Sequence, residues 1–299
     1  MIRIANAPCS WGALEFDLEG EAAGFAQVLD EMQQTGYAGT ELGDWGFMPT
    51  DPAELKTQLD ARNLSMVGAF LPAALSDTSQ HALAVDKALQ IAGLMHDAGF
   101  PGAFIVLADD NGKDPTRTNN AGRVTPEMGL SEEQWNNFAS GSEKLARAVR
   151  DRYGLKTVFH HHCSGFVETP HEVDTLMNKT DPELLGLCID AGHLRFAGGD
   201  PLQALKKYGN RVWHFHFKDC HPEVAAASRA EGWDYFRSVN EGVFCELGKG
   251  EIDFQAIVDV FIQRGFEGWF TVEQDVLPRM GNPKVCARRN RGFIRSLGL

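Results

Sequence analysis

Short runs of apolar, β-branched and aromatic residues alternate along this chain with longer stretches whose apolar positions recur every three to four residues. The short runs fall at 2–7, 39–42, 65–71, 103–107, 157–161, 185–190, 212–217 and 269–273. Helical periodicity follows near 21–35, 52–62, 79–98, 131–150, 170–178, 201–208 and 253–264, and a last stretch at 284–296 ends the chain. Eight strand–helix units in that order predict an α/β fold, a parallel sheet closed into a single (β/α)8 barrel.

The punctuation agrees with the periodicity. Thr169-Pro170 and Asp200-Pro201 each place a capping side chain ahead of a proline at the first helical position. Gly36, Gly99, Gly154 and Gly265 each stand between a helix and the next strand, where a left-handed residue ends a helix without strain. Two connections are long, 108–130 after the fourth strand and 219–252 after the seventh. Both leave the carboxyl end of a strand, the end at which barrels build their sites. The second carries Gly232-Trp233-Asp234-Tyr235-Phe236, expected to form a helix covering the pocket.

With 299 residues, 43% hydrophobic and 23% charged, the composition is that of one globular barrel domain rather than a disordered or fibrous chain. The net charge of -13 disfavours a nucleic-acid partner. Arg288, Arg289, Arg291 and Arg295 fit a solvated face of the last helix. The start of the chain enters a strand directly, and no apolar run reaches membrane-spanning length, so a cytoplasmic protein without a membrane partner is expected. Six scattered cysteines read as small buried hydrophobes, with Cys9, Cys163 and Cys220 close to the expected pocket.

The chemistry concentrates at four consecutive strand ends. Strand five ends in His160-His161-His162, strand six in Asp190, strand seven in His216 and strand eight in Glu273. In a closed barrel these ends converge on one patch. Mixed imidazole and carboxylate donors there suit one divalent metal ion, Mn²⁺, Co²⁺, Fe²⁺ or Zn²⁺, better than Ca²⁺.

These residues carry a resemblance. Asp190-x-x-His193, His216-x-Lys218-Asp219 and Glu273 resemble the xylose-isomerase-like TIM-barrel superfamily of sugar isomerases, epimerases and dehydratases. Within it, the segments 6–12, 39–43, 160–169, 186–193, 196–201 and 230–233 look like those of the inosose dehydratases. The resemblance spans nearly the whole chain. It implies a single metal, Mn²⁺ or Co²⁺ ahead of Zn²⁺, Fe²⁺ or Mg²⁺, bound by a strand-five carboxylate with Asp190, His216 and Glu273. Here the chain departs from the wider pattern, because His160 stands where the superfamily has a strand-five glutamate. Either His160 ligates, or Glu168 swings into the vacant place. Glu168 is the expected ligand, because a third carboxylate keeps the site rich in oxygen, and His160 is then a substrate contact.

The implied substrate is a cyclic polyol with one ketone, 2-keto-myo-inositol, losing water to give a trihydroxycyclohexane-dione. That reaction needs a base for the proton α to the carbonyl and an acid for the departing hydroxyl, while Lewis-acid polarisation lowers the cost of the enolate. His162 and His193 are the candidates for base and acid, in either order. Lys218 is a donor to a substrate or enolate oxygen, or else the ion-pair partner of Asp219 or a nearby carboxylate. Glu41 could bind a hydroxyl or move a proton, and Trp11 offers an apolar wall to the ring. A ketose epimerase or isomerase would share the metal and the first proton transfer. Metal-dependent repair of abasic DNA would need more ligands and a basic rim, and a non-catalytic polyol-binding barrel would not need so many ionisable groups. Family resemblance leaves a homo-oligomer open.

Overall fold

In the computed structural model, residues 1–12, 23–276 and 281–299 are described. Eight parallel strands close a barrel: β1 (Ile2–Asn6), β2 (Gly39–Glu41), β3 (Ser65–Pro72), β4 (Phe104–Ala108), β5 (Lys156–His160), β6 (Leu185–Asp190), β7 (Val212–Phe217) and β8 (Gly268–Val272). Each pairs with its neighbours in sequence, and β1 closes the ring on β8. The outer layer consists of α1 (Phe25–Thr35), α2 (Pro52–Asp60), α3 (His81–Asp97), α4 (Glu132–Tyr153), α5 (Pro170–Lys179), α6 (Pro201–Tyr208), α7 (Phe254–Gln263) and α8 (Pro283–Ser296). This is the (β/α)8 architecture expected from the periodicity, with bounds within a few residues of those read from sequence. Residues 21–22 of the expected first helix lie outside the described residues.

Local chemistry sets these boundaries. Thr169 caps α5 through a reciprocal capping box with Glu172, and Asp200 accepts from Leu202 N and Gln203 N at the start of α6. Gly36, Gly99, Gly154 and Gly265 all adopt positive φ behind their helices. The main core lies between strands and helices, with fully buried Leu29, Leu55, Ile105, Phe138, Phe159, Leu187, Phe215, Phe261 and Phe270. The arginines of α8 are less free than a solvated face implies. Arg291 donates to the Gly36 carbonyl and Arg289 pairs with Glu246 at 3.1 Å.

The two long connections hold structure that strand–helix periodicity did not register. The first forms a short helix, Pro115–Asn119, and a 3-10 turn, Pro126–Met128. The second forms a two-stranded ribbon, Asp219–Cys220 against Phe244–Cys245, and two helices, Pro222–Glu231 and Tyr235–Asn240. The expected helix over 232–236 is instead the joint between those two: Gly232 ends the first at φ 68 and Asp234 caps the second. A further helix, Ala191–Phe196, starts straight off β6 with Asp190 as its cap. Ala121, Cys163, Phe196, Cys220, Ala225, Tyr235, Val239, Val243 and Phe244 form a satellite core shared by both connections. Arg123 adds a clasp by donating to the Trp233 carbonyl at 2.8 Å. Together they roof the carboxyl ends of β5–β7.

Candidate active site and metal centre

Strand register brings the ionisable residues together. Asp190 lies opposite His216, His216 opposite Thr271, and Glu273 extends β8 by donating its N–H to the Phe217 carbonyl at 3.0 Å. His160 enters from β5. Ligand atoms of His160, Asp190, His216 and Glu273 all lie within 4.8 Å of one another. His160 Nε2 is 3.7 Å from Asp190 Oδ2. His216 Nδ1 is 3.8 Å from the same oxygen and 3.3 Å from Glu273 Oε1.

Among the described residues, four buried atoms of this group have no hydrogen-bond partner: both ring nitrogens of His160, Asp190 Oδ2 and His216 Nδ1. An unpartnered buried polar atom costs about 1–3 kcal/mol, so several facing one point are not a resting arrangement for a core. Two carboxylates balance the charge of one divalent ion, and the imidazoles of His160 and of His216, which must first give up a proton it holds well above the ordinary histidine range, match the mixed nitrogen–oxygen preference of Mn²⁺, Co²⁺ and Zn²⁺. The residues present fit such an ion.

Glu168 does not join them. It is buried, but its carboxylate accepts from Gly122 N at 2.7 Å and Ser164 N at 2.8 Å. Burial pushes this carboxyl up to about 7. It ties the first long connection to the turn after β5. That turn requires Ser164 at φ 67, and the glutamate oxygen holds its N–H there. His160 thus stands beside Asp190, His216 and Glu273, where Glu168 is the residue expected from the sequence, and both Glu168 oxygens are occupied by backbone N–H groups.

Around the four ligands stand the proton-handling candidates. His162 donates from Nδ1 to the Cys163 carbonyl at 2.6 Å, and its ring centroid is 3.8 Å from that of His193. Burial, reinforced by the neighbouring imidazoles, holds His160, His161 and His162 at about 3 and His193 well below the ordinary histidine range. The rings are therefore neutral; His193 Nδ1 accepts the Cys163 N–H at 3.4 Å and His161 Nε2 the Asp190 N–H at 3.3 Å. Lys218 Nζ sits 3.3 Å from His193 Nε2, 3.3 Å from Asp275 Oδ2 and 3.4 Å from Glu273 Oε2. Burial works against its charge, but the carboxylates of Asp275, Asp190 and Glu273 outweigh it and hold the ammonium well above its usual value.

Lys218 does not pair with Asp219. That carboxylate is saturated by the backbone N–H groups of Cys220, Gly248, Gly250 and Ile252, which close the base of the second long connection. Asp275 is the partner that sequence reasoning missed. Its signal was the two-residue step from Glu273, which puts both on one side of an extended chain.

Glu41 lies beneath the ligands. Its Oε1 accepts from His216 Nε2 at 3.0 Å and His214 Nε2 at 2.9 Å. Burial opposes its ionisation, yet the His216 charge and these hydrogen bonds bring it down to about 2. It fixes the His216 ring so that Nδ1 faces the carboxylates, the usual service of a carboxylate behind a metal-binding imidazole. Trp11 is buried in the main core and donates from Nε1 to Glu31 Oε2 at 2.7 Å, and no described contact joins it to the imidazoles. Burial pushes the Cys9 and Cys163 thiols well above their ordinary value and Cys220 to about 12, which disfavours a nucleophilic thiolate.

Tyr235, unassigned in the sequence reading, completes the cluster from the roof. Its hydroxyl is 3.5 Å from His162 Nε2 and its ring stacks towards His193.

A sequence profile of the xylose isomerase-like TIM barrel family matches residues 29–297. An inosose dehydratase of Clostridium botulinum is 30% identical over 98% of this chain and 96% of its own. An inosose dehydratase of Bacillus cereus is 31% identical over the same shares, 98% and 96%. Among solved structures, a probable 3-DHS dehydratase of Bacillus anthracis superposes with a TM-score of 0.68 at 13% identity, covering 98% of both chains. The IOLI protein with a bound zinc atom superposes with 0.68 at 14%, covering 99% of this chain and 97% of the other.

Proposed function

This chain belongs to the xylose isomerase-like TIM barrel family, and on that premise we propose that it is a metal-dependent hydro-lyase converting 2-keto-myo-inositol, a cyclic keto-polyol, to a trihydroxycyclohexane-dione. One observation carries the reading. Unpartnered buried atoms of His160, Asp190 and His216 face one point beside Glu273, and neutral His162 and His193 stand next to them. The near-full-length likeness to inosose dehydratases selects dehydration among the reactions such a site could serve.

The residues divide the work. His160, Asp190, His216 and Glu273 would hold the ion, Mn²⁺ or Co²⁺ by donor set, with Glu41 orienting His216. When bound, a divalent ion supplies Lewis-acid polarisation of the substrate ketone. His162 and His193 offer neutral imidazole nitrogens for removing the α-proton, and neutrality at pH 7 is the protonation state a base requires. Lys218, kept charged by Asp275 and Glu273, would stabilise negative charge developing on a substrate oxygen. The roof of the two long connections would exclude water from the intermediate. No helix among the described residues is long and apolar enough to cross a membrane. A homo-oligomer remains part of the proposal on family grounds alone.

The test is an assay of chelator-stripped protein with 2-keto-myo-inositol, with Mn²⁺, Co²⁺ or Mg²⁺ added back and the product followed by ultraviolet absorbance and mass. Metal-dependent loss of one water is expected. A mass-neutral rearrangement would replace dehydration by epimerisation or isomerisation, and full turnover after stripping would remove the metal from the account.

A further inference from the structure

Dehydration makes a demand that epimerisation does not: a proton must reach the departing hydroxyl. The groups described so far are committed to other partners, His193 accepting the Cys163 N–H at Nδ1, 3.4 Å away. His162 has its Nδ1–H committed to the Cys163 carbonyl at 2.6 Å, which leaves Nε2 with a lone pair. His193 Nε2 faces the Lys218 ammonium at 3.3 Å. The Lys218 protons are engaged in turn by Asp275 and Glu273.

Tyr235 brings a different group. It sits in the first turn of the helix Tyr235–Asn240, whose cap Asp234 accepts from Arg237 N at 2.7 Å. Val239, Val243 and Phe244 pack it into the satellite core at 1% exposure. Its hydroxyl points at His162 Nε2, 3.5 Å away, and its ring lies 5.5 Å from the His162 ring. A rigidly packed phenol beside an imidazole lone pair is a proton donor set against a proton acceptor. Catalytic hydrogen bonds are commonly longer before substrate binds than after.

We propose that Tyr235 is the catalytic acid, delivering its phenolic proton to the departing hydroxyl while His162 Nε2 acts as the base. The assignment rests on the dehydration reading above. The atoms balance without a co-reactant. His162 takes the α-proton, and the C–H electrons pass into the enolate. The enolate re-forms the carbonyl with a new C=C bond as the β C–O bond breaks, its electron pair leaving with the oxygen. That oxygen takes the Tyr235 proton and departs as water, leaving the enol of the dione, which ketonises as its hydroxyl proton passes to the former β-carbon. The His162 imidazolium then returns its proton to the adjacent Tyr235 phenolate, and both groups are reset. Nothing is oxidised or reduced.

The test uses the metal-loaded, full-length protein and 2-keto-myo-inositol in D2O, with two readouts: deuterium entering recovered substrate at the α-carbon, and formation of the product lighter by one water. Tyr235→Phe keeps the ring in the satellite core and removes only the hydroxyl. We expect it to retain metal and α-exchange while dehydration falls on the order of 10²–10⁴-fold. Val239→Ala, one turn along the same helix, trims packing without touching a polar group, so any loss there should affect exchange and dehydration together. Unchanged dehydration by Tyr235→Phe would overturn the assignment while leaving the dehydratase reading intact. Parallel loss of exchange and dehydration at full metal content would also overturn it, because Tyr235 would then serve the first proton transfer or mere positioning. A wild-type protein that neither exchanges nor dehydrates the ketone would remove the dehydratase reading and this assignment with it.

Discussion

His160 and Glu168 are separated by one turn of chain, yet burial gives them opposite work. Both His160 nitrogens are buried without a partner among the described residues, whereas both Glu168 oxygens accept backbone hydrogen bonds. Metal analysis of two variants separates them: His160→Ala should lose bound metal, and Glu168→Gln should retain it. The reverse result would restore Glu168 as the ligand. Glu41→Gln should keep the fold but weaken metal binding roughly 10- to 100-fold, the usual consequence of losing the carboxylate behind a ligating imidazole. A chelator-competition titration measures it, and unchanged affinity would show that His216 is oriented by packing alone.

At the scale of elements, strand-end chemistry was legible because the barrel imposes it. Once eight units are recognised, the residues ending β5, β6, β7 and β8 must meet, and Asp190, His216 and Glu273 were found that way. The contents of the long connections were not legible, because they answer to tertiary partners rather than to period. Tyr235 is buried by residues from several segments of the chain, and Asp275 is defined by the Lys218 it faces. The sequence offers no way to weigh His160 against Glu168 for a related reason: the capacity of backbone N–H groups at Gly122 and Ser164 to occupy a carboxylate shows only in three dimensions.

The first long connection and the helix after β6 supply two further tests. Arg117 is fully buried, pairs with Glu172 through both terminal nitrogens at 2.7 and 2.9 Å, and donates to the Gly165 carbonyl. Arg117→Ala leaves the Glu172 charge buried and should cost about 3–5 kcal/mol by denaturant unfolding. A loss below about 1 kcal/mol would mean that Glu172 relaxes to solvent or neutralises. Gly192 matters for a different reason: a Cβ there would lie 2.6 Å from Lys218 Cγ. Gly192→Ala should displace the lysine and lower kcat, and overpacking this buried contact should also cost about 1–3 kcal/mol of stability. An unaltered kcat would remove Lys218 from the reaction.

Across the whole molecule, the ordinary hydrophobic core holds the barrel, and the proposed metal centre draws on that stability. Buried unpartnered groups at one end are tolerable because the remaining strands and helices over-determine their positions. Metal binding should therefore add to the stability of a protein already folded without it. At a free ion concentration 100 times the dissociation constant, the gain is about 2.7 kcal/mol, seen as a rise of several degrees in the thermal midpoint. Unfolding on chelation would instead make the ion structural. The net charge of -13 bears on partners rather than on fold, and concentrates divalent cations near the surface while repelling polynucleotides.

The most direct measurement is anomalous diffraction from crystals of the stripped protein soaked in Mn²⁺. The account predicts one strong peak at the carboxyl ends of the strands, bounded by His160, Asp190, His216 and Glu273, with Glu168 still bound to the backbone of Gly122 and Ser164. A peak coordinated by Glu168, or no peak between these four side chains, would contradict it.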